Sequence, residues 1–148
     1  MLSDVDPENA PLAAIFGLAG TVLTPEEKAF FADADPLGFI LFKRNCENPD
    51  QLKALTRSLH ECMGREVPVL VDQEGGRVQR LKPPHWAQYP TAQSFGDAFM
   101  RDFAKGRAEL EQSTAAMAAE LAAAGFNVNC APVLDLRFPE THDDIGDR

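Results

Sequence analysis

Two kinds of segment alternate along the chain: short continuous apolar runs, and longer stretches in which apolar residues recur at helical spacing. Continuous apolar runs of this length are typical of parallel strands that are buried on both faces. Strands are predicted over residues 13–18, 38–42, 67–72 and 126–133. Helices are predicted from residue 25, over residues 49–63 and over the alanine-rich residues 104–124. This alternation predicts an α/β fold with a parallel sheet and crossover helices, without an internal domain boundary.

Residues that typically start and stop helices stand at the predicted helix ends. Thr24 can accept a backbone N–H, Pro25 suits the first helical position, and Glu27 completes a capping box. The pair Asn48-Pro49 repeats the arrangement of a cap followed by proline at the start of the second helix. Gly64 follows that helix, where a glycine commonly ends a helix.

The third predicted strand ends abruptly in a polar cluster. Asp72 follows the apolar run directly, and α/β folds place their ligands just past the C-terminal ends of such strands. Gly75 and Gly76 let the backbone turn sharply and approach a ligand closely. Arg77 and Arg80 add fixed positive charge and several hydrogen-bond donors. The pattern predicts a ligand-binding carboxylate at a strand mouth, although spacing alone also allows a helix N-cap or a structural carboxylate.

The segment DQEGGRVQRL at residues 72–81 resembles the signature of family 3 glycoside hydrolases, and most closely that of their bacterial β-N-acetylhexosaminidases of cell-wall recycling. Four further segments agree with that family in order and spacing. They are GLAGTVLTPEE at 17–27, GFILFKRNCENPDQL at 38–52, YPTAQSFG at 89–96, and GFNVNCAPVLDL with IGDR within 125–148. Five ordered segments make the resemblance specific, and it covers nearly the whole chain.

The resemblance implies a TIM (β/α)8 barrel, which typically needs about 250 residues. Residues 1–148 are therefore expected to be the N-terminal half of a single (β/α)8 domain, supplying about its first four strands. In this family the nucleophile is an aspartate from late in the barrel. The hexosaminidases also use a histidine on a mobile loop near a Lys-His-Phe-Pro-Gly-His-Gly motif. Neither segment occurs in this sequence, so no residue is assigned a catalytic role.

Three residues match positions that contact the terminal sugar in the family. The aspartate matching Asp72 holds sugar hydroxyls, and an ionised carboxylate forms strong charge-assisted hydrogen bonds with them. Arg80 and Arg148 match sugar-contacting arginines of the hexosaminidases. Arg80 could also form a salt bridge with Asp72 or Glu74, and the two roles can coexist.

Several other residues allow both a functional and a structural interpretation. Asp135 stands at a strand end, where it could be catalytic or, on the favoured interpretation, could orient an arginine. His142 precedes two aspartates but is interpreted as a solvated loop residue. Lys43 and its neighbours could line the barrel mouth or form a solvated loop. Trp86 and Tyr89 could stack on sugar rings or pack at the edge of the fold.

Composition restricts the partners and the compartment. The formal charge of −9 argues against nucleic acid and against anchoring to an anionic membrane, since both select basic surfaces. No apolar run approaches a membrane span, and no secretory signal is visible. The three cysteines fit neither a zinc spacing nor a disulfide framework, and the histidines lack ligand spacing. A cytoplasmic protein without metal or cofactor is expected. His60, late in its helix, is expected to interact with the last helical carbonyls.

The resemblance implies a retaining exo-β-N-acetylglucosaminidase that removes terminal N-acetylglucosamine from muropeptides in peptidoglycan recycling. The intact enzyme is expected to be a monomer, whereas these 148 residues alone are expected to be inactive and prone to self-association, because open sheet edges attract partners. Two alternatives stay open. One is a family 3 β-glucosidase or related exo-glycosidase, and the other is a non-catalytic sugar-binding or structural half-barrel module.

Overall fold

The computed structural model describes residues 10–136, 138–142 and 146. Six strands and four α-helices make up this part of the chain. They are β1 Leu12–Gly17, α1 Pro25–Ala34, β2 Pro36–Leu41, α2 Pro49–Met63, β3 Val69–Val71, β4 Gln73–Gly75, β5 Val78–Gln79, α3 Ala92–Arg101, α4 Phe103–Ala123 and β6 Val128–Asn129. None of the described helices is long and apolar enough to cross a membrane.

Four strands form one parallel sheet in the order β1-β2-β3-β6, and β4 pairs with β5 in a separate antiparallel hairpin. The hairpin follows β3 directly, so it projects from the C-terminal edge of the sheet. The predicted parallel sheet with crossover helices is confirmed. Because all four sheet strands run in the same direction, their C-terminal ends meet at one edge, and residues that follow them are brought together.

The predicted helix starts are confirmed at atomic detail. The Thr24 hydroxyl accepts the Glu27 N–H at 3.2 Å, and the Glu27 carboxylate accepts the Thr24 N–H at 3.0 Å. The Asn48 side chain accepts the Gln51 N–H at 2.9 Å at the start of α2. Gly64 ends α2 in the left-handed conformation, with a φ of 62°. These contacts satisfy N–H groups that have no partner within the first helical turn.

The core lies between one face of the sheet and the helices. Side chains at alternating positions of β2 and β3 are fully buried against the apolar face of α2; they are Phe39, Leu41, Val69 and Val71, facing Leu52, Leu55 and Leu59. The neighbouring positions point to the opposite face, as the pleat of a strand requires. On that face Ile40 and Leu70 are half-buried and Val128 is 39% exposed.

The fourth sheet strand is shorter than predicted. The sequence pattern predicts a strand over residues 126–133, whereas β6 spans only Val128–Asn129. The N–H of Phe126 bonds to the Leu121 carbonyl at 3.0 Å and so closes the end of α4 instead of joining the sheet. Pro132 has no N–H to donate to a neighbouring strand. The apolar run therefore contains a helix end, a short strand and a loop.

Two further elements were not predicted from the pattern. One is the β4–β5 hairpin, and the other is α3, which begins where the Thr91 hydroxyl accepts the Ser94 N–H at 3.3 Å. Helix α3 packs on α4 through the ring contact of Phe99 with Phe103, whose centroids lie 5.4 Å apart. At Gly106 of α4, a Cβ would press on the backbone of Phe99, so glycine permits this close approach.

Candidate sugar-binding site

An ion pair stands at the C-terminal edge of the sheet. Asp72 follows β3 directly, and the β4–β5 hairpin returns the chain so that Arg80 lies beside it. Arg80 Nη2 is 2.6 Å from Asp72 Oδ2, and the two side chains are 27% and 23% exposed respectively. The two residues that the sequence analysis places in the site are thus in direct contact. The pair offers an acceptor and a cationic donor next to each other, at a position that solvent can reach.

Glycines make the tight turn of the hairpin possible. Gly75 has a φ of 97° and Gly76 a φ of 54°, and residues other than glycine rarely adopt such positive φ angles. A Cβ on Gly75 would overlap the carbonyl of Pro90, and the N–H of Gly76 donates to the Tyr89 carbonyl at 2.9 Å. The hairpin is therefore held against residues 89–91.

A buried glutamine fixes the backbone at Arg80. The Gln73 side chain is fully buried, and its Oε1 accepts the N–H of Arg80 at 2.9 Å and that of Leu81 at 3.1 Å. Its Nε2 donates to the Leu81 carbonyl at 3.0 Å. This role of Gln73 was not predicted from the sequence. The available signal was its place directly between the strand end and the glycine pair.

A second buried glutamine ties the hairpin to the following loop. Gln79 Nε2 donates to the carbonyls of Leu81 and Ala87, both at 2.6 Å, and its Oε1 accepts the Tyr89 N–H at 3.1 Å. Each buried amide thus supplies hydrogen bonds to backbone groups of the hairpin and of the loop that follows it. Together the two side chains hold the loop that carries Arg80 in a single conformation.

Cys130 is a third member of the site that the sequence analysis did not assign. It follows β6 and is exposed, and it lies near the Asp72 carboxylate. Partial burial raises the pKa of this thiol, and the nearby negative charges of Asp72 and Glu74 raise it further. The thiol consequently stays protonated at neutral pH.

Within the part of the chain that the structure describes, no other predicted site residue joins this ion pair. Arg148 lies outside the described residues. Asp135 is exposed and forms no ion pair within the part of the chain that the structure describes. His142 is exposed, and the two aspartates that follow it also lie outside the described residues. The structure therefore brings Asp72 and Arg80 together, and the other assignments remain predictions.

The loop after β2 braces the structure through Asn45. Lys43–Asn45 forms a single 3-10 turn in which Lys43 and Arg44 are exposed and Asn45 is buried. Asn45 Nδ2 donates to the carbonyls of Leu18 and Gly20, at 3.2 and 2.7 Å, and Arg44 Nε also donates to the Leu18 carbonyl at 2.8 Å. Lys43 is exposed, which fits both interpretations of this loop. Asn45 is not solvated, because its amide connects the loops after β1 and β2.

The aromatic residues of the proline-rich loop pack inside the fold. Trp86 and Tyr89 are 9% and 7% exposed, so they do not offer faces on which a sugar ring could stack. The Tyr89 hydroxyl donates to Glu120 Oε2 at 3.1 Å, and Glu120 Oε1 accepts the Ala87 N–H at 2.9 Å. Burial and this carboxylate raise the pKa of Tyr89 to about 12. Of the two interpretations of these aromatic residues, packing is correct.

His60 forms a hydrogen bond with the chain that follows α2. His60 Nδ1 accepts the Val67 N–H at 3.2 Å and lies 3.5 Å from Glu66 Oε2. The predicted interaction of His60 with the last carbonyls of α2 is therefore wrong, because the chain after Gly64 returns a free N–H to the ring. Among the described residues, no three His, Cys, Asp or Glu side chains are close enough together to hold a metal ion.

A cavity of about 620 Å³ opens between the hairpin, α3, α4 and the chain after β6. Its wall is mostly apolar and includes Phe95, Phe99, Leu110 and Met117. Neither Asp72 nor Arg80 lines it. Since sugar hydroxyls need hydrogen-bonding partners, the ion pair rather than this cavity is the candidate sugar site.

Comparisons with known proteins agree with this architecture. The β-hexosaminidase of Thioalkalivibrio sulfidiphilus is 41% identical over 131 residues, which are 88% of this chain and 37% of that protein. The β-hexosaminidase of Bordetella avium is 37% identical over 128 residues, which are 86% of this chain and 37% of that protein. The chain thus spans little more than a third of the length of these curated relatives.

Solved structures give the same family and fold. NagZ from Neisseria gonorrhoeae, in complex with zinc ion, superposes with a TM-score of 0.79 at 34% identity, over 84% of this chain and 37% of that one. The same protein in complex with N-trifluoroacetyl-D-glucosamine also gives 0.79, at 33% identity, over 86% and 38% of the two chains. The fold is TIM-barrel-like, and the described sheet is a partial barrel. Because the profile described as the glycosyl hydrolase family 3 N terminal domain matches residues 19–148, the chain belongs to glycoside hydrolase family 3.

Proposed function

We propose that this chain forms one wall of the terminal-sugar site of a retaining exo-β-N-acetylglucosaminidase. In this proposal Asp72, Arg80 and Arg148 contact the sugar. The observation that carries it is the Asp72–Arg80 pair, with a 2.6 Å contact at the C-terminal edge of a parallel sheet. Carboxylate and guanidinium groups form charge-assisted hydrogen bonds, which are stronger than neutral ones. An ionised Asp72 accepts sugar O–H groups, while Arg80 donates to sugar oxygens.

The acceptor and the donor suit a pair of adjacent sugar hydroxyls. One hydroxyl donates its proton to the Asp72 carboxylate, and an oxygen next to it accepts from Arg80. The hairpin hydrogen bonds of Gln73 fix Arg80 before a ligand arrives, so the sugar does not have to order this loop. Such a site holds and orients the non-reducing end of a substrate.

The bond-breaking chemistry is assigned to residues that this sequence does not contain. In a retaining glycosidase a carboxylate attacks the anomeric carbon, and water then hydrolyses the covalent glycosyl-enzyme. We assign neither the nucleophile nor the proton donor to these residues. The described side chains include no cluster of three metal ligands. The contribution of this chain is to bind and orient.

The proposed substrates are N-acetylglucosaminyl muropeptides, and the proposed role is peptidoglycan recycling in the cytoplasm by a monomeric enzyme. A solved relative binds an N-acylated glucosamine analogue, N-trifluoroacetyl-D-glucosamine, which supports the N-acetylglucosamine preference. The net charge of −9 supports a small-molecule substrate over nucleic acid or an anionic membrane. Three free cysteines, none of them in a disulfide, agree with a reducing compartment.

An assay for hydrolysis tests the division of labour. The chain, with its mass of 16.2 kDa verified on the same sample, is incubated with a chromogenic N-acetyl-β-glucosaminide. We expect no release of the chromophore. Hydrolysis at that mass would show that the reacting carboxylates lie within these residues, which would contradict the assignment above.

A binding titration tests the sugar site itself. We expect N-acetylglucosamine to shift backbone amide signals of residues 72–81 in a two-dimensional ¹H–¹⁵N NMR spectrum, and to do so at lower concentration than glucose. Equal responses to both sugars would favour the family 3 β-glucosidase alternative. Shifts confined to other parts of the chain, or none, would contradict the proposed site.

A further inference from the structure

We propose that Cys130 is a positioning residue: its thiol donates a hydrogen bond to the Asp72 carboxylate and, together with Arg80, fixes the orientation in which that carboxylate meets a sugar. The part of this inference that concerns the sugar rests on the proposed function. The contact between Cys130 and Asp72 does not, and it can be tested without a ligand.

Strand pairing places the two residues next to each other. In the parallel pair of β3 with β6, Leu70 faces Val128 and Val71 faces Asn129. Continuing this register by one position, past the ends of both strands, brings Asp72 beside Cys130. Facing residues of neighbouring strands project from the same side of a sheet. The contact therefore follows from the register of the sheet rather than from a freely moving loop.

The backbone on both sides of this position is held by hydrogen bonds. The Cys130 N–H donates to the Val71 carbonyl at 2.9 Å. Gln73, the residue after Asp72, is bonded to the Asn129 side chain. Asn129 Oδ1 accepts the Gln73 N–H at 3.1 Å, and Asn129 Nδ2 donates to the Gln73 carbonyl at 2.9 Å. The strand ends that carry Asp72 and Cys130 are thus joined before and after Asp72. A one-residue slip would break all three hydrogen bonds.

The chemistry of the two groups decides which of them donates. An ionised carboxylate is only an acceptor, so the hydrogen bond requires a protonated thiol. Partial burial and the negative charges of Asp72 and Glu74 keep the thiol protonated, since they raise its pKa. A thiol in such surroundings is a weak nucleophile, because the thiolate is the reactive form. The environment suits a hydrogen-bond donor and does not suit a reactive cysteine.

Two donors from separate segments then hold one carboxylate. Arg80 reaches Oδ2 from the loop after β5, and Cys130 approaches from the end of β6. A carboxylate has about four acceptor positions, so acceptor positions remain for sugar hydroxyls. Fixing the side chain from two directions removes the rotational freedom that a sugar would otherwise have to restrict on binding.

Alkylation of the cysteines tests the contact without a sugar. Trypsin places Cys46, Cys62 and Cys130 in the separate peptides 45–53, 58–65 and 108–137, so mass spectrometry follows each thiol in the intact chain. With iodoacetamide at pH 8, we expect Cys130 to react faster in Asp72→Asn than in the unmodified chain, while Cys62 reacts at the same rate in both. A lower thiol pKa raises the fraction of thiolate but also makes each thiolate a weaker nucleophile. A tenfold gain in the thiolate fraction therefore speeds alkylation only about threefold.

The exposed Asp97 supplies the matched control, since Asp97→Asn removes the same charge from α3. We expect this variant to leave the Cys130 rate unchanged. A Cys130 rate that is equal in Asp72→Asn and Asp97→Asn would overturn the contact, and with it the inference.

Two substitutions of Cys130 test the positioning role. Cys130→Ser keeps a donor, whereas Cys130→Ala removes it. We expect Cys130→Ala to weaken binding of N-acetylglucosamine about two- to tenfold, the range for one hydrogen bond, and Cys130→Ser to restore most of the affinity. Urea midpoints measured for both variants verify the fold. Equal affinities of the unmodified chain and Cys130→Ala would overturn the positioning role. If the unmodified chain does not bind the sugar at all, the proposed function is overturned. The alkylation experiment then still decides whether Cys130 contacts Asp72.

Discussion

Replacing Gln73 by methionine removes the amide that fixes the Arg80 loop while keeping the length of the side chain. Gln73 is fully buried and makes three hydrogen bonds to residues 80 and 81. The Leu81 carbonyl keeps a partner in the variant, because Gln79 Nε2 also donates to it at 2.6 Å. Among the described residues, the N–H groups of Arg80 and Leu81 have no such second partner, so the substitution leaves two donors unsatisfied.

Each unsatisfied buried donor costs about 1–3 kcal/mol. The Leu81 N–H is buried and the Arg80 N–H is only partly buried, so we expect Gln73→Met to lower the free energy of unfolding by about 2–4 kcal/mol. Domains of this size have total stabilities of about 5–15 kcal/mol, so a loss of this size is readily measured.

Urea denaturation followed by circular dichroism measures the change. Gln112→Met, on the exposed surface of α4, is the matched control, and we expect it to change stability by less than about 0.5 kcal/mol. A loss below about 1 kcal/mol for Gln73→Met, or equal losses for the two variants, would refute the reasoning that this amide holds the loop.

Two further predictions concern the same loop. Tyr89 is the only tyrosine, so absorbance of the tyrosinate at high pH reports its ionisation alone. We expect Glu120→Gln to lower the pKa of Tyr89 from about 12 towards the ordinary value of 10.0. An unchanged pKa would contradict the role of Glu120. Because the folded state holds this proton more tightly than the unfolded chain, Tyr89 contributes stability below pH 10 that is lost as the pH rises towards 12, and Glu120→Gln should reduce that loss. We expect Gly75→Ala to destabilise the chain by at least about 1 kcal/mol, because of its positive φ and the overlap with Pro90, whereas Gly20→Ala, with open space around its Cα, should be nearly neutral in the same urea experiment. Equal midpoints for the two glycine variants would contradict the close approach at Gly75.

Local signals in the sequence predicted much of the fold. Capping residues act within a few positions of the chain, so Thr24, Asn48 and Gly64 could be recognised without knowledge of the tertiary structure. The parallel sheet followed from its buried apolar runs. For Arg80 the sequence allowed a sugar contact, a salt bridge with Asp72 or Glu74, or both. The salt bridge with Asp72 is feasible because a glycine-containing hairpin joins the two residues, which are eight positions apart.

Features that depend on contacts distant in the sequence were missed. Gln73 and Gln79 look like solvated loop residues in sequence, and only the packing of the hairpin against residues 87–89 shows that both are buried. Helix α3 carries Gly96, which disfavours a helix by about 1 kcal/mol relative to alanine, and packing on α4 offsets this. Cys130 gave no local signal, because its partner Asp72 lies 58 positions earlier and meets it only through strand pairing.

The central claim is that the Asp72 carboxylate binds a terminal N-acetylglucosamine. Its most direct test is the dissociation constant of that sugar for the unmodified chain, for Asp72→Asn and for Asp97→Asn, measured by NMR titration. A hydrogen bond to a charged group contributes about 1.5–3 kcal/mol, so we expect Asp72→Asn to bind at least about tenfold more weakly, with Asp97→Asn unchanged. Equal affinities for all three chains would contradict the claim.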